Sequence, residues 1–127
     1  MVIDHVGIMN EDEDRAIRFY RDILGLEKVK ESSVSANLAG QLFSFNQEIR
    51  MLIYGKKNLM VEIFIVPGFS GPSPAVPHLC LQVSDPAAIL EKAKKEGVKV
   101  ISAERGGKTI YFVDDFFGNR IELKHQK

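Results

Sequence analysis

The sequence predicts an α+β protein built from two βαβββ modules. Strand and helix patterns follow one another in the same order in both halves of the chain, and a loop rich in proline, glycine and serine separates the halves. The first strand of each half contains a histidine, His5 or His78, and the last contains a glutamate, Glu62 or Glu122. This repetition predicts a duplicated fold in which each copy supplies one histidine and one glutamate.

The composition is that of an ordinary soluble domain. The chain has 127 residues, of which 45% are hydrophobic and 27% are charged, enough to bury a hydrophobic core. Seventeen basic residues balance seventeen acidic ones and form no basic stripe, which argues against an electrostatic binder of nucleic acid or membranes. The single cysteine excludes an intrachain disulfide. We see no secretory signal and no run long enough for a membrane helix, so we expect a cytoplasmic protein.

The first module spans residues 1–67 and begins with a predicted strand over residues 1–9. A helix is predicted over residues 11–24, because apolar residues recur there at helical spacing and the first turn is acidic. Asn10 or Asp12 would cap its N-terminus. Short apolar runs predict the remaining strands of this module, at 26–31, 42–45, 49–54 and 59–66.

A linker at residues 68–75 leads into the second module, residues 76–127. The helix of this module would begin at Pro86, with Asp85 as its N-cap, and would end at Gly97. The predicted strands are 76–84, 98–102, 109–113 and 120–124.

Alternation along the strands places the histidines and glutamates on one face of each predicted sheet. In the strand at 59–66, one face is aliphatic, with Leu59, Val61, Ile63 and Ile65, and the other carries Met60, Glu62, Phe64 and Val66. In the other three strands, parity likewise places His5, His78 and Glu122 on the face opposite to a mainly aliphatic one, and this mixed face also carries apolar residues such as Ile3 and Val76. The mixed face is therefore the predicted site.

Two imidazoles and two carboxylates on these faces form a candidate N2O2 ligand set for a divalent metal such as Zn, Ni, Co, Mn or Fe. A divalent ion would also compensate the carboxylate of Glu62, which otherwise lies in an apolar strand. Each histidine or glutamate taken alone is more commonly structural, as a hydrogen-bonded imidazole or as the partner of a lysine or arginine. The equivalent placement of all four favours a metal site.

Three other features have simpler interpretations. His125 has the opposite parity to Glu122 and is expected at the surface. Cys80 shares a face with His78 and is expected to fill a small pocket or core space rather than to act as a nucleophile. The stretch Arg105–Lys108 is expected to form a solvated turn, or else a loop whose cations meet an anionic substrate.

Four stretches resemble the vicinal oxygen chelate superfamily, also called the glyoxalase/bleomycin-resistance/dioxygenase fold. They are "IDHVGIMNEDEDRAIRFYRDILGLEKV", "MVEIF", "PHLCLQVSD" and "IYFVDDFFGNRIEL", and with their spacing they cover essentially the whole chain. The last is similar to the family ending F-x-D-P-x-G-N-x-x-E, with Phe116 where proline is common. The resemblance implies two βαβββ modules that form a cupped, barrel-like mixed sheet around one metal, with His5, Glu62, His78 and Glu122 as ligands.

Because all four ligand positions are filled, the sequence is most similar to short bacterial glyoxalase I, or lactoylglutathione lyase. Bleomycin-sequestering members lack ligands, extradiol dioxygenases and fosfomycin-resistance enzymes use three, and methylmalonyl-CoA epimerases usually carry glutamine at the position of Glu62. No stretch matches the glutathione-contacting residues of glyoxalase I, and the glycine-rich loop and His-Pro pair of the epimerases do not occur before the last strand. The resemblance therefore implies the metal site and leaves the substrate-binding residues unassigned.

The resemblance implies chemistry in which a metal stabilises an enediolate while a carboxylate moves a proton alpha to a carbonyl. Glu122 is the implied base and Glu62 the second choice, with one divalent ion (Ni, Co, Zn or Mn) per site and a homodimer as the assembly. We expect a lyase or isomerase acting on a small 2-oxo thiol adduct. The alternatives are an epimerase, a non-catalytic ligand-binding or resistance protein, and a dioxygenase or fosfomycin-modifying enzyme.

Overall fold

A computed structural model describes residues 1–71 and 76–127 of the protein. The chain forms two compact units, Met1–Ser70 and Gly71–Lys127. The predicted linker at 68–75 falls at this division, and its last four residues lie outside the described part of the chain.

The first unit contains four strands and two α-helices. In chain order they are β1 (Val6–Asn10), α1 (Glu13–Ile17), β2 (Glu27–Val34), α2 (Ala36–Phe43), β3 (Ile49–Lys56) and β4 (Leu59–Ile65), and α1 continues into a π-helical segment at Arg18–Ile23. The strands form one sheet in the order β1-β4-β3-β2, in which β1 is parallel to β4 and the other neighbours are antiparallel.

The second unit repeats this sheet. Its elements are β5 (His78–Val83), α3 (Pro86–Lys95), β6 (Val100–Arg105), β7 (Lys108–Asp114) and β8 (Arg120–His125). The strand order is β5-β8-β7-β6, again with the first strand parallel to the last and the other neighbours antiparallel. The predicted pair of βαβββ modules with mixed sheets is thus confirmed, with one added helix in the first module.

The prediction of a strand at residues 42–45 is wrong, because this region belongs to the end of α2 and the turn that follows it. Ser35 caps α2 by accepting a hydrogen bond from the backbone N–H of Leu38, and Ser44 ends the helix in the left-handed conformation. The first strand is also shorter than predicted, since pairing begins at Val6 and leaves His5 just before the strand.

The helix termini follow local sequence signals. The Asp12 side chain accepts a hydrogen bond of 2.8 Å from the backbone N–H of Arg15, so Asp12 is the N-cap, whereas the alternative, Asn10, is buried at the end of β1. Asp85 accepts a hydrogen bond from the backbone N–H of Ala88 at 3.0 Å, and Pro86 occupies the first turn of α3. Both helical segments are therefore positioned by the caps that the sequence predicts.

Burial follows the predicted alternation along the strands. In β4 the aliphatic residues Val61, Ile63 and Ile65 are buried, whereas Glu62 and Phe64 are only partly covered. Each fully buried aliphatic side chain of this kind contributes roughly 1.5–3 kcal/mol by leaving water. In the second unit Ile121 and Leu123 of β8 are buried, and α3, which buries Leu90 and Ala93, contacts β6 and β8. The aliphatic faces form the main core, whereas the mixed face of the first module carries both Glu62 and a second buried cluster, made of Val34, Ala39, Ile49 and Val66.

Across residues 1–71 and 76–127, none of the helices has the length and apolar character needed to cross a lipid bilayer.

Candidate metal centre

The first module brings His5 and Glu62 together. Glu62 lies in the middle of β4, and the parallel pairing with β1 places it opposite Gly7, two residues after His5. The Nε2 atom of His5 is 3.2 Å from the Oε2 atom of Glu62. The His5 side chain is 42% exposed and that of Glu62 is 20% exposed, so the pair lies at a partly open surface of the sheet.

The second module forms the same pair in the same register. Glu122 lies opposite Cys80, which is two residues after His78, just as Glu62 lies opposite the second residue after His5. The distance from His78 Nε2 to Glu122 Oε2 is 3.5 Å, and the Glu122 side chain is 14% exposed. The equivalence predicted from the sequence therefore extends to strand pairing and to side-chain contacts.

Both imidazoles are oriented through their Nδ1 atoms. His78 Nδ1 lies 2.8 Å from the backbone carbonyl oxygen of Val76. A carbonyl only accepts, so His78 Nδ1 carries a proton, and Nε2 is the ring atom that faces Glu122. His5 Nδ1 lies 2.9 Å from the Asp4 carboxylate, which can fix the same tautomer. Histidines that ligate metals usually donate their other N–H to a carbonyl or carboxylate in this way.

The spacing of each pair suits two ligands of one ion. A lone pair that faces a carboxylate oxygen is unfavourable unless a proton or a cation lies between them. Two donor atoms that each lie about 2.1 Å from an ion, at an angle of about 90–110°, are separated by about 3.0–3.4 Å. The separations of 3.2 Å and 3.5 Å lie within or next to this range. The distances are compatible with two ligands of one divalent ion, and also with a protonated imidazole that faces a carboxylate.

The structure groups the four predicted ligands as two pairs, one in each module. No group of three or more histidine, cysteine, aspartate or glutamate side chains in residues 1–71 and 76–127 is spaced to hold a metal ion. The ligand set His5, Glu62, His78 and Glu122 therefore stays a prediction, and we take it up under the proposed function.

The loop before β8 fixes the strand that carries Glu122. Asp115 Oδ1 accepts hydrogen bonds from the backbone N–H groups of Phe117, Gly118 and Asn119 at 2.9, 2.8 and 2.9 Å. Asp115 is buried, so these bonds are shielded from water. The neighbouring Asp114 pairs with Arg120 through two hydrogen bonds of 2.9 and 3.0 Å. The "DDFFGN" stretch thus fixes the entry into β8, with Phe116 at the position where proline is common in the family.

Two ionisable groups beside the pairs have shifted pKa values. The hydrogen bond to Asp4 and the negative charge of Glu62 raise the pKa of His5, and desolvation opposes them weakly. Desolvation and the nearby Glu122 raise the pKa of Cys80, which keeps its thiol protonated. Cys80 is nevertheless exposed, so the expectation that it fills a core space is wrong, whereas its protonated thiol agrees with its not being a nucleophile.

The other two sequence features have the expected positions. His125 is exposed at the end of β8, and its Nδ1 atom contacts the backbone carbonyl of Gln126 at 2.7 Å. Arg105 and Lys108 flank a tight hairpin in which Gly106 and Gly107 both have positive φ, as a two-residue turn between twisted strands requires. The solvated-turn interpretation is confirmed.

The first module also contains an apolar groove, open to solvent, which the sequence does not predict. It has a volume of about 240 Å³, and its walls include Met9, Phe43, Phe45, Ile49, Phe64 and Val66. Two of these aromatic residues, Phe43 and Phe45, come from α2 and the turn after it, a region for which the sequence predicts a strand. The available signal was the Ser35 cap followed by Ala, Leu and Gln, residues that favour a helix.

The chain belongs to the glyoxalase/bleomycin resistance protein/dioxygenase superfamily, whose sequence model matches residues 2–123. It is also 32% identical over 129 residues to the uncharacterized protein YwbC of Bacillus subtilis, an alignment that covers 95% of this chain and 94% of YwbC.

Solved structures share the fold. The trypanothione-dependent glyoxalase I of Leishmania major superimposes with a TM-score of 0.72 at 21% identity, covering 98% of this chain and 86% of the enzyme. The fosfomycin resistance protein FosX of Listeria monocytogenes, in complex with Mn(II) and sulfate, superimposes with a TM-score of 0.72 at 18% identity, covering 99% of this chain and 93% of FosX. At these identities the matches establish the glyoxalase fold alone.

Proposed function

We propose that this protein is a metal-dependent lyase or isomerase of the glyoxalase type, which acts on a small 2-oxo thiol adduct. We further propose that His5, Glu62, His78 and Glu122 bind one divalent ion. The observation that carries the proposal is the histidine–glutamate pair that recurs at the same strand register in both modules. Residues with a purely structural role need not form the same histidine–glutamate contact in both modules. A metal ion bound by both modules needs one such pair from each.

A divalent ion in this site would supply Lewis-acid polarisation of two adjacent substrate oxygens. Glu122 would remove the proton alpha to the substrate carbonyl and return it to the neighbouring carbon. The Glu122 carboxylate lies 3.5 Å from His78 Nε2 and 3.4 Å from Lys124 Nζ. These two contacts orient the carboxylate, and neither is bidentate. Glu62 is our second choice for the base. The Nδ1 contacts of His5 and His78 would keep the Nε2 atoms directed at the site.

Metal content tests the ligand assignment. We expect purified wild-type protein to hold one divalent ion per site after reconstitution, and Glu62→Ala to lose most of it. Glu91→Ala is the matched control, because Glu91 lies on the exposed face of α3 and pairs only weakly with Lys94. A wild-type protein that takes up no stoichiometric metal under these conditions would refute the proposed function.

Proton exchange tests the reaction class. Wild-type protein with metal should exchange the alpha proton of a glutathione hemithioacetal of methylglyoxal with solvent deuterium, and Glu122→Gln should abolish this exchange while leaving the fold intact. If the protein exchanges the alpha proton of an acyl thioester with solvent deuterium but does not isomerise this compound, it would be an epimerase. Tight ligand binding that survives Glu122→Gln, without any turnover, would indicate a non-catalytic binding protein. Oxygen uptake with Fe(II), or fosfomycin consumption with Mn(II), would indicate another metal enzyme on this fold.

A further inference from the structure

We propose that Lys124 is a positioning residue that makes Glu122, rather than Glu62, the carboxylate that leaves the metal ion and acts as the base. The ammonium group of Lys124 competes with the ion for the Glu122 carboxylate and so keeps this ligand exchangeable. This inference rests on the proposed function, in which only the family resemblance ranks Glu122 before Glu62, and it adds a physical difference between the two carboxylates.

Lys124 contacts the Glu122 carboxylate directly. Both residues belong to β8 and are two positions apart, so alternation directs their side chains to the same face of the sheet. Lys124 Nζ lies 3.4 Å from Oε1 of Glu122, whereas His78 Nε2 lies 3.5 Å from Oε2. The two oxygens of one carboxylate therefore face different partners, a candidate metal ligand on one side and a cation on the other.

The first module has a phenylalanine at the position equivalent to this lysine. Phe64 lies two residues after Glu62 in β4, on the same face of the sheet. Lys124 has the same place relative to its own glutamate in β8, and the strand register is the same in both modules. A phenyl ring carries no net charge, so at this position an ion bound by Glu62 has no competing cation. The two candidate ligands thus share one register but differ in the side chain beside them.

The different burial of the two partners suits this competition. The Glu122 side chain is 14% exposed, so water and salt screen its charge less than they screen a charge at the open surface. Two cations that share one carboxylate repel each other, and Lys124 therefore weakens metal binding at Glu122. The Lys124 side chain is 59% exposed and has a flexible stem, so its ammonium group can move into solvent when Glu122 ligates the ion and can pair with Glu122 again when the carboxylate is released.

A second lysine–glutamate pair of the chain provides a matched control. Lys94 Nζ also lies 3.4 Å from a carboxylate oxygen, Oε1 of Glu91, and the Lys94 side chain is 60% exposed. Both residues lie on α3, and Glu91 is 66% exposed and is not a candidate ligand. Replacement of Lys94 therefore removes the same charge from an equally spaced pair without acting on the proposed metal site.

Metal affinity tests the inference without any substrate. We expect Lys124→Met to bind Ni(II) about three- to tenfold more tightly than the wild type at low ionic strength, because one repelling charge is removed. Added salt should reduce this difference. Lys124→Arg keeps the charge and should bind Ni(II) as the wild type does, and Lys94→Met should leave the affinity unchanged. A lysine with a purely structural role would give the opposite sign, because loss of structure at the site weakens metal binding. Thermal unfolding verifies that each variant is folded.

Turnover separates this inference from the proposed function. With metal present, Lys124→Met should turn over the glutathione hemithioacetal of methylglyoxal with a kcat that is lower by about the same factor, whereas Lys124→Arg should keep the wild-type kcat. Unchanged or weaker Ni(II) binding in folded Lys124→Met would overturn the inference, and so would tighter binding with an unchanged kcat. Tighter binding in a protein that has no turnover in any form would support the competition at Glu122 and refute the proposed lyase. Wild-type turnover with equal metal affinity in all variants would support the lyase and refute the role of Lys124.

Discussion

Glu62 is a carboxylate in a strand whose neighbouring residues along the chain are all apolar. Glu62 forms an ion pair with His5, whose imidazole carries a full charge only when it is protonated. A carboxylate placed in this way costs stability when its partner is neutral. Such a residue is explained by what it binds, because stability alone would favour an apolar side chain.

We predict that Glu62→Leu leaves the metal-free protein as stable as the wild type or raises its free energy of unfolding by about 1 kcal/mol. The variant removes a partly buried charge from the apolar neighbourhood of Phe64, and it should lose metal binding at the same time. Urea unfolding of the metal-free proteins and metal analysis of the reconstituted ones measure the two effects.

The adjacent residue provides the contrast. Ile63 is fully buried on the aliphatic face, so Ile63→Ala should lower the free energy of unfolding by about 2–5 kcal/mol. A Glu62→Leu variant that is destabilised as much as Ile63→Ala would mean that Glu62 is structural.

We predict that His5 of the metal-free protein titrates above its ordinary pKa of 6.5, because Asp4 and Glu62 favour the imidazolium. A raised pKa in the folded state means that this contribution to stability is fully present below the pKa of the unfolded chain and is lost as the pH rises through the folded value. Nitrogen-detected NMR titration of the histidines measures the pKa, and Asp4→Asn should lower it. An unchanged pKa in Asp4→Asn would show that the contact to Asp4 does not form in solution.

Protons compete with metal for His5, so metal affinity should rise with pH over the same interval.

At the level of elements, alternation and capping could be read from the sequence, and long-range placement could not. The faces of β4, β5 and β8 follow from parity, and the N-caps Asp12 and Asp85 follow from their side chains. The sequence does not identify α2, because the mostly apolar stretch "LFSF" at residues 42–45 has the length of a strand, and the short helix ends within it, at Phe43. The groove that Phe43 lines depends on this helix, so the sequence does not predict it either.

We predict that Asp115→Ala destabilises the protein by about 2–4 kcal/mol, because it removes the acceptor of three backbone N–H groups in a buried loop. The variant should also lower metal affinity, since this loop leads directly into the strand of Glu122. Asp85→Ala is the control: it removes a single cap bond from α3 and should cost about 1 kcal/mol. Equal effects of the two substitutions on unfolding and on metal content would contradict the assigned role of the loop.

At the level of the whole molecule, the repeat raises the question of which pairs share an ion. Each module alone provides one histidine and one glutamate, and two donors fall short of the three or four protein ligands of typical catalytic sites. The two pairs of one chain, or pairs from two chains of a homodimer, must therefore combine if the metal proposal holds.

We predict that the protein is a homodimer and that mixing two defective variants restores metal binding. One variant carries His5→Ala and Glu62→Ala, the other His78→Ala and Glu122→Ala, and neither alone should bind metal stoichiometrically. If pairs from two chains combine, refolding an equal mixture should restore about a quarter of the wild-type metal content, because half of the dimers are mixed and each has one intact site. Light scattering verifies the dimer. A folded, dimeric mixture without metal would instead indicate that both pairs of one chain combine.

The helix α2 lies outside the hydrogen-bonded strands of both sheets, and it contributes nothing to the strand register that places Glu62 or Glu122. Substitutions at the exposed positions of this short, uncharged segment, such as Leu38 and Leu42, can therefore change the surface beside Phe43 while the strands that carry Glu62 and Glu122 keep their pairing. Ala39 is the exception, because it is fully buried in a cluster with Val34, Ile49 and Val66, so a library for protein engineering should vary the exposed positions of α2 and keep Ala39.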